Sequence, residues 1–480
     1  MKRHPMKLLA TMLGGRLAGD ARAIEKAQAR FSGRVSMDTR TLAAGDLFVA
    51  LSTGSRDGHE FLAAAQAAGA AFAIIESAFE TTYRGARITL PVVIVDDSLL
   101  ALQLLAASQR DEFDGLVIGV TGSVGKTSTR DMLHTILKSR YTGRQSPANF
   151  NNSIGLPLSL LELDPGSDEF VVLEMGAGRR GDIAALCDIA QPEIGIITSV
   201  GLAHLETFGT PRDVADAKGE LFESLPANGT AVFPGHDPFA LVLRQKAACR
   251  TMTVGEDGVN DWVISHVRTV RDGHRFTMDG QEYLIRSVAR HFVQNAGLAI
   301  AVAREIGLSG AEIADHLAAW QPVGGRCALV PHASLTILDD CYNASPSAMA
   351  AALRTLEELG EREETRTIAV IGDMAELGEI SEREHRRVGQ LAGGLSIDFI
   401  LAIGRYADIV AKAARATNLS PHRLAVAKDV EMAWMLLECW IEEGDAILVK
   451  GSRSMGLERI TERLKTCQPA LRDRFHRMSA

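Results

Sequence analysis

Residues 119–129, Gly-Val-Thr-Gly-Ser-Val-Gly-Lys-Thr-Ser-Thr, constrain this chain more than any other stretch. An apolar run, Leu116 to Val120, leads into them, and Met132, Leu133, Ile136 and Leu137 follow on one helical face. The order is strand, glycine-rich turn, helix. Small residues let the backbone N–H groups of such a turn close around phosphate oxygens. Lys126 adds a point charge for β- and γ-phosphates, and the Thr127 hydroxyl is within reach of a bound Mg²⁺. Val120 stands where the general pattern has its first glycine, while the tighter form Thr-Gly-x-x-Gly-Lys-Thr is intact. A Gly-Ser turn beside a solvated lysine would not need the strand and helix on either side. The stretch predicts a nucleoside triphosphate site.

Composition narrows the class. A chain of 480 residues, 46% hydrophobic and 23% charged, is an ordinary globular sequence with room for about two to four domains. The net charge of −9 and the lack of a basic stripe with interleaved aromatics argue against nucleic acid. Nothing resembles a polybasic membrane anchor. The six cysteines, at 187, 249, 327, 341, 439 and 467, form no Cys-x-x-Cys pair, which points to a reducing compartment rather than a zinc ribbon or a disulfide framework. Lys2, Arg3 and Lys7 precede an apolar run too short for a secretory segment, and no run reaches the roughly 18 apolar residues that span a bilayer. A cytoplasmic protein without stable membrane insertion is expected.

Three α/β regions separate on pattern. Residues 1–112 hold short strands and alanine-rich helices, with 62–74 predicted as a buried helix. Residues 113–322 start with the phosphate turn. Apolar strands then recur at Phe170–Leu173, Ile194–Thr198 and Ala231–Phe233, mostly separated by helical patterns, as in a parallel sheet covered on both faces. Residues 323–480 repeat the alternation in a Rossmann-like unit, with strands at Thr336–Leu338, Thr367–Ile371, Phe399–Ile403 and Ala446–Val449. Ser345 and Pro346 mark a helix start there. Gln321 to Arg326 reads as a hinge.

Several polar groups fall where such sheets bind ligands, just beyond strand ends. Glu174 and His204 each closely follow a strand and could share a divalent ion. Asn149, Asn151 and Asn152 put three carboxamides in four residues, enough for an anionic or sugar-phosphate ligand or simply for a turn. Lys218 sits in a helical stretch, where a solvated lysine is the default. Arg326 follows a Gly-Gly turn from which a guanidinium could meet phosphates. Asp339 and Asp340 end a strand, where simple turn chemistry is the default, and Lys450-Gly-Ser-Arg ends another and could bind a carboxylate or phosphate.

Taken in order, these fragments resemble the Mur ligase family over nearly the whole chain. They are Asp38-Thr-Arg, Gly45-Asp-Leu-Phe-Val-Ala-Leu, Asp57-Gly-His, the phosphate turn, Asn149-Phe-Asn-Asn, Glu174-Met-Gly-Ala, Ala203-His-Leu-Glu, Ala217-Lys-Gly-Glu, Asn295-Ala, Gly325-Arg, Asp339-Asp-Cys-Tyr-Asn-Ala-Ser-Pro, Gly372-Asp-Met-Ala-Glu-Leu-Gly-Glu and Lys450-Gly-Ser-Arg. The resemblance implies an α/β protein of three domains. A small N-terminal domain holds a UDP-sugar, a central parallel-sheet domain with the phosphate turn holds ATP, and a C-terminal Rossmann-like domain closes over both. It also implies amide ligation through an acyl phosphate.

Carried over by residue, the resemblance implies phosphate contacts from Gly122, Ser123, Val124, Gly125, Lys126, Thr127 and Ser128, and Mg²⁺ ligation by Thr127 and Glu174, with His204 on a second ion. It implies carbamylation of Lys218, adenine at Asn295, phosphates at Arg326 and ribose at Asp340. Lys126, Lys218, His204 and Arg326 would be the catalytic set. Asp38, Thr39, Arg40, Asn149, Asn151, Asn152 and Asn343 would face the substrates. The 372–379 string is similar to that of the branch adding a dipeptide, which implies UDP-N-acetylmuramoyl-tripeptide and D-alanyl-D-alanine as substrates and a monomer as the working form. The family's Asn-Ala-Asn-Pro reads Asn343-Ala-Ser-Pro here, and its Gly and first Asn before Asn295 are missing. Rival readings are the sibling that adds the third amino acid to UDP-N-acetylmuramoyl-dipeptide, whose Asp-Asn-Pro-Arg string is absent, a folate polyglutamylating enzyme, and a non-catalytic nucleotide-binding module.

Overall fold

A computed structural model describes residues 5–54, 56–85, 88–202, 205–417 and 419–469. Four sheets of three or more strands organise them. The first is ordered Arg16–Ala18, Val92–Val95, Phe72–Glu76, Leu47–Val49, Val35–Ser36, and only the Arg16–Ala18 pairing is antiparallel. The predicted buried helix over 62–74 divides here. Leu62–Ala67 is helical, Gly69 turns the chain at φ +90°, and Phe72–Glu76 becomes a buried central strand. Eight alanines in 62–74 favour helix locally, but the run Phe-Ala-Ile-Ile satisfies its backbone between two parallel neighbours.

The second sheet has seven parallel strands, ordered Trp262–Val263, Arg250–Gly255, Thr230–Pro234, Ile194–Ile197, Leu116–Thr121, Phe170–Glu174, Gly143–Gln145. Chain order reverses around Leu116–Thr121, so the phosphate turn leaves the sheet at its switch point, the place where sheets of this kind bind ligands beyond the strand ends. Ile118 and Val120 pack with Met132, Leu133, Ile136 and Leu137 of the helix Lys126–Leu137, which in turn lies on the helix Phe292–Glu305. Each such side chain contributes about 1.5–3 kcal/mol by leaving water. Val117 and Ile197 join a different apolar cluster, with Leu102 and Leu105 from the first region. Residues 265–285 form a three-stranded antiparallel sheet that the strand-and-helix pattern did not predict.

The last sheet runs Ala328–Val330, Thr336–Asp340, Ala446–Lys450, Thr367–Gly372, Phe399–Ile403, Leu424–Ala427, parallel except for its first pairing. Ser345 caps the helix Pro346–Glu363 through the Ala348 N–H, with Pro346 at its first position, as the sequence predicts. Met349 and Leu353 of that helix share a cluster with Phe292 and Ala296, so one apolar core continues from the central sheet to the last.

Candidate active site

Gly125 closes the phosphate turn at φ +91°, the left-handed region that L side chains avoid. A Cβ there would lie 2.7 Å from Asn295 Oδ1, so the turn and the Asn295 carboxamide are in close contact. Lys126 Nζ donates to the Gly122 carbonyl at 2.8 Å. Burial lowers its pKa, with Glu174 opposing that shift and Arg326 adding to it. The loop after Ile194–Ile197 braces the turn. Ser123 N–H donates to the Ser199 carbonyl at 2.9 Å, Val124 N–H to Ser199 Oγ at 3.0 Å, and Gly201 N–H to Ser123 Oγ at 2.8 Å. Asp237 accepts from the Val200 and Phe239 N–H groups and holds that loop, its carboxyl pushed up by burial. Ala203 and His204 lie outside the described residues.

Glu174 ends its strand only 2% exposed. Its Oε2 accepts from the Thr127 hydroxyl at 2.6 Å and its Oε1 from Asn151 Nδ2 at 2.8 Å, while its backbone N–H donates to Ser146 Oγ at 3.0 Å. The Thr127 hydroxyl and the Glu174 carboxylate are hard oxygen donors of the kind Mg²⁺ prefers. Among the described residues no group of three or more His, Cys, Asp or Glu gathers at metal distance, so an ion here would take most of its shell from water and phosphate. The other carboxamides are used differently. Asn152 Oδ1 accepts from the Ile154 and Gly155 N–H groups and caps the helix Gly155–Leu161, and Asn149 faces solvent.

Lys218 lies on the helix Pro211–Glu223, which starts with a Thr210–Asp213 capping box. Gly119 and Gly195 are register partners on the sheet below, and a Cβ on either would come within 3.0 Å of Leu221. Their missing side chains let this helix press close to the strand ends. Lys218 is 2% exposed, and burial, then the nearby Lys126 ammonium, hold its amine at about 7.

Arg326 stacks its guanidinium 4.0 Å over the Tyr342 ring, and its charge is felt at Lys126 and Arg130. Asp340 receives Lys450 Nζ at 2.6 Å and the Cys327 N–H at 3.1 Å. Lys450 Nζ also donates to the Asn343 carbonyl at 3.0 Å, fixing the backbone beside that exposed side chain. His291 lies near this pair. Its Nδ1 is buried without a hydrogen-bond partner among the described residues, and burial lowers its imidazole to about 4. The last region touches the central one where Glu206 N–H donates to the Glu376 carbonyl at 3.1 Å.

In the first region Asp38 binds Arg40 through Nη2 at 2.6 Å and Nε at 2.9 Å, and this pairing takes its carboxyl down to about 2. Thr39 sits between them, half-buried. The strand Val35–Ser36, just before these residues, packs on the helix Gly155–Leu161, which follows the Asn149–Asn152 turn in the chain. His59 of Asp57-Gly-His contacts Asp57 through Nδ1 and takes the Glu76 N–H on Nε2, an internal structural link.

Lys450, read from the sequence as able to bind a carboxylate, does bind that of Asp340, while three participants escaped the sequence reading: Arg130, Ser199 and Asp237. Only Arg130 left a local signal, one turn after Lys126 on the same helix.

A glycine turn at the switch point of a parallel sheet, hard oxygen donors beside it and the charge of Arg326, from the start of the last region, felt at its lysine define a P-loop α/β protein. Residues 120–303 match the Mur ligase middle domain and 325–453 the Mur ligase glutamate ligase domain. The chain is 33% identical over 467 residues to the UDP-N-acetylmuramoyl-tripeptide–D-alanyl-D-alanine ligase of Bacillus subtilis, covering 97% of this chain and 99% of that one. It superposes on a MurF crystal structure from Acinetobacter baumannii with TM-score 0.82 and 28% identity, covering 96% and 98% of the two chains. MurF ligase from Thermotoga maritima in complex with ADP gives 0.77 at 28%, covering 90% and 97%. The chain belongs to the Mur ligase family.

Proposed function

We propose that this chain is an ATP-dependent ligase that joins D-alanyl-D-alanine to UDP-N-acetylmuramoyl-tripeptide in the cytoplasmic synthesis of peptidoglycan precursors. Near full-length likeness to relatives of that name supports the substrates. The observation that carries the reading is the convergence at one set of strand ends of the phosphate turn, Glu174, buried Lys218 and, from the last sheet, Arg326. Units of 1–112, 113–322 and 323–480 fit the separate strand sets, and a monomer acting in the cytoplasm fits the reading. Among the described residues no helix is long and apolar enough to cross a membrane.

A carboxylate is a poor electrophile, so the acid needs activation. Its oxygen attacks the γ-phosphorus of ATP, the bond to the β-γ bridging oxygen breaks, and ADP leaves. The amine of the dipeptide then attacks the acyl carbon, phosphate departs, and the nitrogen loses a proton. Catalysis of the first step is mostly positioning and charge neutralisation. The turn backbone over 122–128 and Lys126 would hold the phosphates, and Arg326 would offset charge on the transferred group. Thr127 and Glu174 would hold Mg²⁺, with His204 on a second ion, and the metal supplies further neutralisation when bound. An amine held near 7 is about half unprotonated at neutral pH, far more than an ordinary lysine, and so can add CO₂, which supports a carbamate on Lys218. Asn295 would meet adenine and Asp340 the ribose side, while Asp38, Thr39, Arg40, Asn149, Asn151, Asn152 and Asn343 would line the substrates' path.

Phosphate release in the presence of ATP and the UDP-tripeptide tests the reading. Release is expected with D-alanyl-D-alanine. Release only from the UDP-dipeptide with free diaminopimelate or lysine would assign the sibling reaction, and no release with any amine would leave a binding module.

A further inference from the structure

Arg130 is a cation only 4% exposed, on the inner face of the helix that begins with Lys126. Burying such a group costs several kcal/mol unless partners compensate it. Its partners come from three places. Nε donates to Gln145 Oε1 at 3.1 Å, Nη1 donates to the Ala148 carbonyl at 2.8 Å, and Nη1 stands 3.4 Å from Glu174 Oε2. Ala148 holds a left-handed φ of +45°, strained for a residue with a side chain, and its carbonyl is where Arg130 grips the loop. That loop continues to Asn151, whose Nδ2 binds the other oxygen of Glu174. Gln145 is tied in turn to Asp131, which also accepts from Trp320 Nε1. The guanidinium thus closes a ring through Ala148, Asn151 and Glu174.

We propose that Arg130 is a positioning residue that locks the cation-binding carboxylate Glu174 and the carboxamide loop 146–152 into one frame, so that Mg²⁺–nucleotide and the UDP-linked acceptor are bound by a single coupled unit. This rests on the ligase reading for the identity of the two ligands. Arg130 touches neither of them. It acts on one through Glu174 and on the other through the Ala148 carbonyl.

The test measures three affinities on the full chain: ADP without Mg²⁺, ADP with Mg²⁺, and the UDP-tripeptide, each by calorimetry. Arg130→Met should leave Mg²⁺-free ADP within about twofold, because Lys126 and the turn are untouched, yet cut both the gain from Mg²⁺ and acceptor affinity by about tenfold or more, the range of a lost partner to a buried charge. Arg130→Lys keeps a cation near Glu174 but cannot span Gln145 and Ala148 together. It should retain the Mg²⁺ gain and lose acceptor affinity. If Arg130→Met does not fold, this split in Arg130→Lys decides. Unchanged acceptor affinity in Arg130→Lys, or equal loss of all three affinities in either folded variant, overturns the proposal. A wild-type chain whose ADP binding ignores Mg²⁺ altogether would instead refute the ligase reading on which it stands.

Discussion

Two buried carboxylates end parallel strands in neighbouring sheets, Glu174 in the central one and Asp340 in the last, and their surroundings differ sharply. Glu174 accepts from the Thr127 hydroxyl and the Asn151 amide, both neutral, with one guanidinium at a glancing 3.4 Å. Asp340 is bound at 2.6 Å by the ammonium of Lys450, its register partner on the adjacent strand, and by the Cys327 N–H. Position at a strand end is therefore not enough to make a cation ligand. A carboxylate compensated by a close ammonium has its charge balanced within the fold and is left to accept from neutral groups such as a ribose hydroxyl, whereas one met chiefly by neutral donors keeps capacity for an incoming cation.

The contrast can be broken most forcefully at Lys126. Lys126→Ala is expected to cut turnover by about a thousandfold or more with little change in unfolding midpoint, since a preorganised charge is lost where the phosphoryl group moves. Lys450→Met should do the opposite. It strands Asp340 as a buried charge and should cost about 3–5 kcal/mol in urea unfolding, with Asp340→Asn in the same chain recovering a large part. Glu174→Gln should lose less than Lys450→Met, because amide and hydroxyl neighbours remain and Arg130 keeps its Gln145 and Ala148 acceptors, and the missing property should be Mg²⁺-dependent nucleotide binding. If Glu174→Gln proves as destabilising as Lys450→Met, the distinction between the two carboxylates fails.

Lys218 sharpens the comparison through pH. Its amine sits at about 7 when folded against an ordinary 10.5, so between those values the unfolded chain binds more protons. In CO₂-free buffer, stability should rise with pH from about 7 towards 10.5, and Lys218→Met should flatten that slope, as read from urea midpoints. Activity lost in Lys218→Ala should return in part with small carboxylic acids if an anion is what the modified side chain supplies. The smallest effect is expected at Ser345→Ala, about 1 kcal/mol of helix-cap loss with unaltered nucleotide affinity.

Much of the central region was legible along the chain. The phosphate turn is contiguous, its φ requirement selects Gly125, and its flanking strand and helix carry the periods of their elements. The strands at 170, 194, 367, 399 and 446 announced themselves as apolar runs for the same reason. The segment 62–74 did not, because alanine is compatible with helix and with buried strand, and only the neighbours at Leu47–Val49 and Val92–Val95 decide which is formed. The antiparallel sheet at 265–285 was hidden because Ser265–Val270 and Gly273–Met278 mix polar residues such as His266, Arg268, His274 and Arg275 with the apolar ones and offer no continuous apolar run.

What the linear order of residues determined by itself is the chemistry that local geometry can hold: a turn for phosphate, a capped helix at Ser345, alternating elements that must stack into parallel sheets. Which charges would be spent on the fold and which kept for ligands was settled only in three dimensions. Lys450 and Asp340 are 110 residues apart, Arg130 and Glu174 are 44 apart, and Val200 meets Asp237 across 37. Pairing at such distances depends on strand register and helix packing, and the energy that makes a buried charge stable or available comes from those neighbours rather than from its own stretch of chain.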